Sequence, residues 1–212
     1  MNSERPNGQH DGNHVISVGV VCGHDDFQKA MAIRAAVYVG EQGRPYGHEF
    51  DGNDHHASHV LATVNGEPAG TCRIRYFGDF AKVERLAVLP RFRNQRFGAR
   101  GVAYAAAKHA FDFCARKGIR QIYGHSLKGP LVKFWGRLGL KPMENGEFDI
   151  PGYRCVAVLG TQSLPEDALS LHSGHLVLVR REGAWDDAGV LDIAPDALGT
   201  TAGEPAPLDL VA

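Results

Sequence analysis

The chain has 212 residues and a formal net charge of −1, with 43% hydrophobic and 22% charged residues. That is enough for one buried core, and too little basic surplus for a general nucleic-acid binder. No apolar run approaches about 18 residues, which gives no membrane partner. The N-terminus has no apolar signal core, and Cys22, Cys72, Cys114 and Cys155 are scattered without a Cys-x-x-Cys pair. A cytoplasmic protein with reduced thiols is the expectation.

Residues 1–14 are polar, rich in Asn, Gly and His, and predict a disordered segment. The β-branched run 15–22 predicts a first strand. Asp25 or Asp26 can cap a helix that carries Phe27, Met31, Ile33, Val37 and Tyr38 at near-helical spacing. Residues 40–54 contain four glycines and predict a long polar loop, a feature that usually has a task. His59 opens a strand, Asn65-Gly66 marks a tight turn, and residues 67–76 return as its hairpin partner. Residues 82–89 add a third strand to that meander. A helix from about Gly98 to Lys117 would bury Val102, Ala105, Ala106, His109 and Phe113, and Gly118 ends it. A strand at 119–125 and a helix at 130–138 follow, with Gly139 as the stop. Residues 148–159 supply a final strand or two, broken near Pro151-Gly152.

Beyond residue 160 the pattern weakens. Residues 165–173 could form a short helix and 175–180 are strand-like, while 195–212 are rich in Pro, Ala and Gly and read as a flexible tail. The division is therefore a domain over 15–160 and an extension over 161–194. That extension either packs on the domain or mediates a homodimer.

The stretch 82–101 organises the rest. An apolar strand breaks at Pro90, crosses a basic loop and enters an Ala-rich helix, and Arg85, Arg91, Arg93, Arg96 and Arg100 crowd it. Unpaired N–H groups at a helix N-terminus beside arginines suit a ligand with several phosphates. Neither the Walker loop nor the dinucleotide glycine fingerprint is present.

Val88-x-Pro90-x-x-Arg93-x-x-Arg96-x-Gly98, entered from a strand with Glu84, resembles the acyl-CoA-binding motif of GNAT-type N-acetyltransferases. Arg93 and Gly98 match that motif, and Arg96 stands where its first glycine is usual. The segments at 36–42, 49–54 and 59–62 are similar to the ElaA-like branch, and the element order over 15–160 is the family's. The resemblance implies an α/β (α+β) fold with a mixed, largely antiparallel central sheet flanked by helices. It also implies acetyl-CoA as co-substrate and a small-molecule amine as acceptor, attacked directly at the thioester.

By that resemblance the backbone of Leu86, Ala87 and Val88 would hold the acyl arm between two splayed strands. Arg93, Asn94, Gln95, Arg96, Phe97, Gly98 and Ala99 would hold the phosphates, and His125 would line the ligand. Glu84, a carboxylate in an apolar strand, is a candidate base, its pKa raised by burial. It could equally be a solvent-facing residue paired with Arg85 or Lys82. Trp135 occupies the family's usual tyrosine position, where it could wall the pantetheine channel but has no acidic proton to give; Tyr153 is then a candidate acid, or a core or surface aromatic. Glu49, Asp51 and Asp54 in the long loop could serve as base or hold a cationic acceptor, or be helix-capping or turn residues, the reading slightly favoured for Asp54. The cluster of His55, His56 and His59 lacks ligand spacing, so no metal is expected. A second reading is a domain that binds acyl-CoA as a sensor without turnover, favoured by Arg96 and Trp135. A relative of the acyl-homoserine-lactone synthases ranks last, because their extended signature is missing.

Overall fold

The computed structural model describes residues 15–93, 101–150 and 153–170. Seven strands form one sheet in the order β1-β2-β3-β4-β5-β7-β6. They are β1 Ile16–Val20, β2 Ser58–Val64, β3 Glu67–Phe77, β4 Phe80–Val88, β5 Gln121–Leu127, β6 Lys141–Ile150 and β7 Tyr153–Thr161. All neighbours run antiparallel except β4 and β5, which are parallel. A parallel pair needs a crossover, and helix α3, Val102–Arg116, supplies it. Helix α1 spans Gly23–Arg34, the short α2 spans Tyr46–Glu49 and α4 spans Pro130–Gly136.

Strand alternation divides the sheet into two faces. Val60, Ala62, Cys72, Ile74, Ala81, Val83 and Ile122 point to one face and form the main core with Ala106, Ala110 and Cys114 of α3. On the other face Leu61 and Ala87 pack against Ile33 and Val37. The same alternation places Arg73, Lys82, Glu84, Tyr123 and His125 on this second face. It is the face that carries charge.

Several expectations are adjusted. Asp25 and Asp26 do not cap α1; Cys22 precedes the helix without a side-chain cap, and both acids lie in the first turn, where they pair with Lys29 at 2.6 and 2.9 Å. The expected loop at 40–54 is largely wound: a π-helical turn covers Ala35–Glu41, α2 follows, and a short helical turn covers Asp54–His56. In α3 the buried stripe uses Ala107 and Ala110, whereas Ala105 and His109 are only half-buried. Residues 165–170 form no helix. They turn back on α3, with the Leu169 N–H donating to the Arg116 carbonyl at 2.7 Å. Residues 1–14, 175–180 and 195–212 lie outside the described residues.

Candidate functional site

Two irregularities in the middle of the sheet make the site. First, β4 and β5 pair only from Phe80↔Gln121 to Lys82↔Tyr123, yet both strands run on, to Val88 and to Leu127. Among the described residues no ladder joins them beyond that point, so the two strands part as a wedge. Second, the β3–β4 register passes from Arg73↔Glu84 to Thr71↔Ala87, which inserts one extra residue in β4. Arg85 adopts a left-handed φ of 55° at this bulge, a strained conformation for a residue with a Cβ. The Tyr38 hydroxyl donates to the Leu86 carbonyl at 2.8 Å and holds the bulge from the helical side.

A buried ionic network supports the bulge. Arg34 donates to Glu49 at 2.7 Å and to Asp54 at 2.5 Å. Arg73 reaches Asp51 at 2.7 and 2.8 Å, Asp54 at 2.9 Å and Glu84 at 2.7 Å. Arg85 contacts Glu49 at 3.0 Å and donates to the His48 carbonyl at 2.9 Å. The side chains of Arg34, Glu49 and Arg73 are 0% exposed, so each charge depends on its partners. The Arg73 guanidinium holds the Asp51 carboxyl well below its ordinary range.

Within the wedge lies a cavity of about 260 Å³ between the β4 bulge and β5, floored by Phe134 and Trp135. It opens into a larger one of about 600 Å³ that shares Gln42, Arg44, Arg85, His125, Ile150 and Tyr153 with it. His125 borders both, its Nε2 3.0 Å from the Tyr123 hydroxyl and its ring edge-on to Phe148. Desolvation, reinforced by Lys82, pushes its imidazole down to about 4, so it is neutral at pH 7.

The residues expected from sequence divide as follows. Glu84, Leu86, His125, Trp135 and Tyr153 all line the smaller cavity. Ala87 and Val88 point into the core, but their backbone continues the unpaired edge of β4. Trp135 is 5% exposed and stacks on Phe111, so it serves as wall. Glu84 departs from its expected state: burial pushes its carboxyl up, but Lys82 and Arg73 outweigh that and hold it below its ordinary value. Glu49 and Asp51 line neither cavity. Both are paired with arginines, Glu49 with Arg34, Arg44 and Arg85, and Asp51 with Arg73 and Arg85. Arg93 donates to the Val88 carbonyl at 2.7 Å and to both Glu41 oxygens at 2.5 and 2.6 Å. Asn94, Gln95, Arg96, Phe97, Gly98 and Ala99 lie outside the described residues.

His59 is buried, with Nε2 3.0 Å from the Asp54 carbonyl. Among the described residues no group of three or more His, Cys, Asp or Glu side chains could hold a metal, and no helix is long and apolar enough to cross a membrane.

Sequence reasoning missed Arg34, Tyr38, Arg44 and Arg73 as site residues. The signal for Arg73 was present: arginines at 73 and 75 share one face of an otherwise apolar strand. Tyr38 and Arg44 gave none, because their role depends on a π-helical turn that apolar spacing does not reveal.

A mixed sheet parted between two central parallel strands, with a bulge in the first of them, defines a GNAT-type fold. Residues 27–139, more than half of the chain, match the acetyltransferase (GNAT) family, and the chain belongs to it. Over 86 residues it is 37% identical to "Putative acetyltransferase BSU40680" of Bacillus subtilis (strain 168), a stretch that is 39% of this chain and 58% of that protein. The chain spans 51% to 58% of the length of the curated relatives it matches. Escherichia coli ElaA superposes with a TM-score of 0.59 at 19% identity, over 69% of this chain and 99% of that one. An acyl-CoA N-acyltransferase from Pseudomonas aeruginosa gives 0.57 at 18% identity, over 68% and 99%. At such identities the likeness is one of fold.

Proposed function

We propose that the chain is an acetyl-CoA-dependent N-acetyltransferase that acetylates the amine of a small molecule by direct attack on the thioester. The observation that carries this reading is the parting of β4 from β5 beyond Lys82↔Tyr123, over a cavity bordered by Leu86, His125 and Trp135.

The residues present fit an acyl-CoA. The β4 edge at residues 86–88, where Tyr38 and Arg93 already occupy the Leu86 and Val88 carbonyls, would offer backbone N–H groups to the pantetheine arm, with Trp135 and Phe134 as apolar wall. Arg93 stands at the end of that edge, and α3 begins nearby at Val102. Gly70 permits the approach: a Cβ there would lie 2.8 Å from Val102 Cγ1. When bound, acetyl-CoA would supply an activated acyl group with a thiolate as leaving group.

The chain's own groups then have separable tasks. Glu84 is ionised at neutral pH and lines the cavity, so it favours positive charge on the attacking nitrogen and can accept its proton through water. His125, neutral and adjacent, adds no competing positive charge. Tyr153, 39% exposed at the rim of both cavities, is the candidate donor to the leaving sulfur.

One observation favours binding without turnover. Arg73 and Lys82 engage both carboxylate oxygens of Glu84, at 2.7 and 3.0 Å, and so weaken it as a base. A single assay separates the readings: incubation with acetyl-CoA and a panel of amines, with detection of free CoA thiol and of N-acetyl product by mass. Product with any amine supports transfer. Binding of acetyl-CoA with no product from the whole panel supports the sensor.

A further inference from the structure

The larger cavity is lined by Arg44, Arg85, His48, His125 and Tyr153, and among the described residues no carboxylate lines it. The carboxylates expected to hold a cationic acceptor, Glu49 and Asp51, do not line it and are paired with arginines. The network joins six cations (Arg34, Arg44, Arg73, Arg75, Lys82, Arg85) to four carboxylates (Glu49, Asp51, Asp54, Glu84). Positive charge is in excess, and Arg44 and Arg85, both partly exposed, present it to the larger cavity.

Arg44 is the more available of the two. Its guanidinium lies 4.7 Å from the Tyr38 ring centroid and has one long contact, 3.4 Å, to Glu49 Oε2. A planar fork fixed over an aromatic ring, with donors to spare, is suited to a carboxylate or phosphate. The same two arginines border the smaller cavity, where Glu84, itself paired with Arg73 and Lys82, is the one carboxylate among the described residues. Across the two cavities the anion-seeking groups therefore outnumber the cation-seeking one, which lies on the wedge side.

Resting on the acyltransfer reading above, we propose that the acceptor is a small amine that also bears an anionic group, a carboxylate or a phosphate, which Arg44 and Arg85 receive in the larger cavity. An α-amino acid or an aminoalkyl phosphate has this charge pattern. A polyamine has the wrong one.

The test compares kcat/KM with acetyl-CoA for four probes: an amino acid, an aminoalkyl phosphate, a neutral monoamine of matched size and a polyamine. The expected result is at least a tenfold preference for one or both acidic probes, which of the two also distinguishing carboxylate from phosphate. Arg44→Gln should raise KM for that probe about tenfold, and Arg44→Lys should recover part of it. Equal or better use of the neutral amine or the polyamine overturns the substrate class and leaves acyl transfer standing. If no probe is acetylated, acyl transfer fails, and calorimetry on the free protein decides the cavity. Binding of an acidic probe, absent for its neutral counterpart and lost in Arg44→Gln, upholds it; no discrimination overturns it.

Discussion

Arg73 and Glu84 face each other across the β3–β4 pair, and Arg73 donates from Nε and Nη2 to Oε1 of Glu84 at 3.1 and 2.7 Å. Its remaining donors hold Asp51 and Asp54, so one buried guanidinium fixes two acids of the 46–56 segment and the candidate base together. The bulge at Arg85 follows immediately, which links the shape of the wedge to this ion pair.

Removal of Arg73 should therefore be severe. Arg73→Ala takes one partner from each of three carboxylates, leaving Asp54 to Arg34, Glu84 to Lys82 and Asp51 to Arg85, and is expected to cost roughly 3–5 kcal/mol. Arg73→Lys should recover little, because a point charge cannot serve three carboxylates in fixed directions. Urea unfolding of the two variants checks this. Near-wild-type stability of the lysine variant would count against it.

Stability should fall in two stages as pH decreases. Burial lowers the His59 pKa from its ordinary 6.5, and desolvation lowers that of His125. Each stabilising contribution is complete above the unfolded value and is lost as pH falls through the folded one. A first decline is thus expected below about pH 6.5. Asp51, Asp54 and Glu84 are held below their ordinary values, so a steeper second decline should begin below about pH 4.5. Urea midpoints from pH 8 to 3 report both.

The same shifts bear on turnover. With Glu84 and His125 both deprotonated from about pH 5.5 upward, neither should produce an inflection in kcat/KM between pH 5.5 and 7.5. Rate should instead climb with the deprotonated fraction of the acceptor amine. An inflection near 6.5 that disappears in His125→Asn would show the imidazole titrating in that range.

At Gly70 a side chain is excluded by Val102 and by the Ala87 carbonyl, 3.1 Å from an added Cβ. Gly70→Ala should displace the first turn of α3, cost roughly 1–3 kcal/mol and weaken acetyl-CoA more than the acceptor. Paired titrations of the two ligands check the ratio.

The fold was legible wherever apolar period and turn chemistry agreed. Asn65-Gly66 closes the β2–β3 turn with both residues at positive φ, and Gly118 lies just beyond the C-terminus of α3. The wedge was legible only through the motif that follows β4, because the residues that part, Glu84–Val88 and Gly124–Leu127, look like ordinary strand. What stayed hidden was the pairing of charges. Glu49, Asp51 and Asp54 read as a polar loop open to a ligand, yet each is paired with arginines up to 36 positions away. Local pattern does not encode such distant compensation.

Calorimetric titration of acetyl-CoA tests the central claim, that the opening between β4 and β5 is an acyl-CoA site. Micromolar binding to the wild type, weakened about tenfold in Arg93→Ala by loss of one charge-assisted contact, is the expected result. Absence of heat with the wild type at millimolar ligand would contradict it, and the parted strands would then be a property of the fold alone.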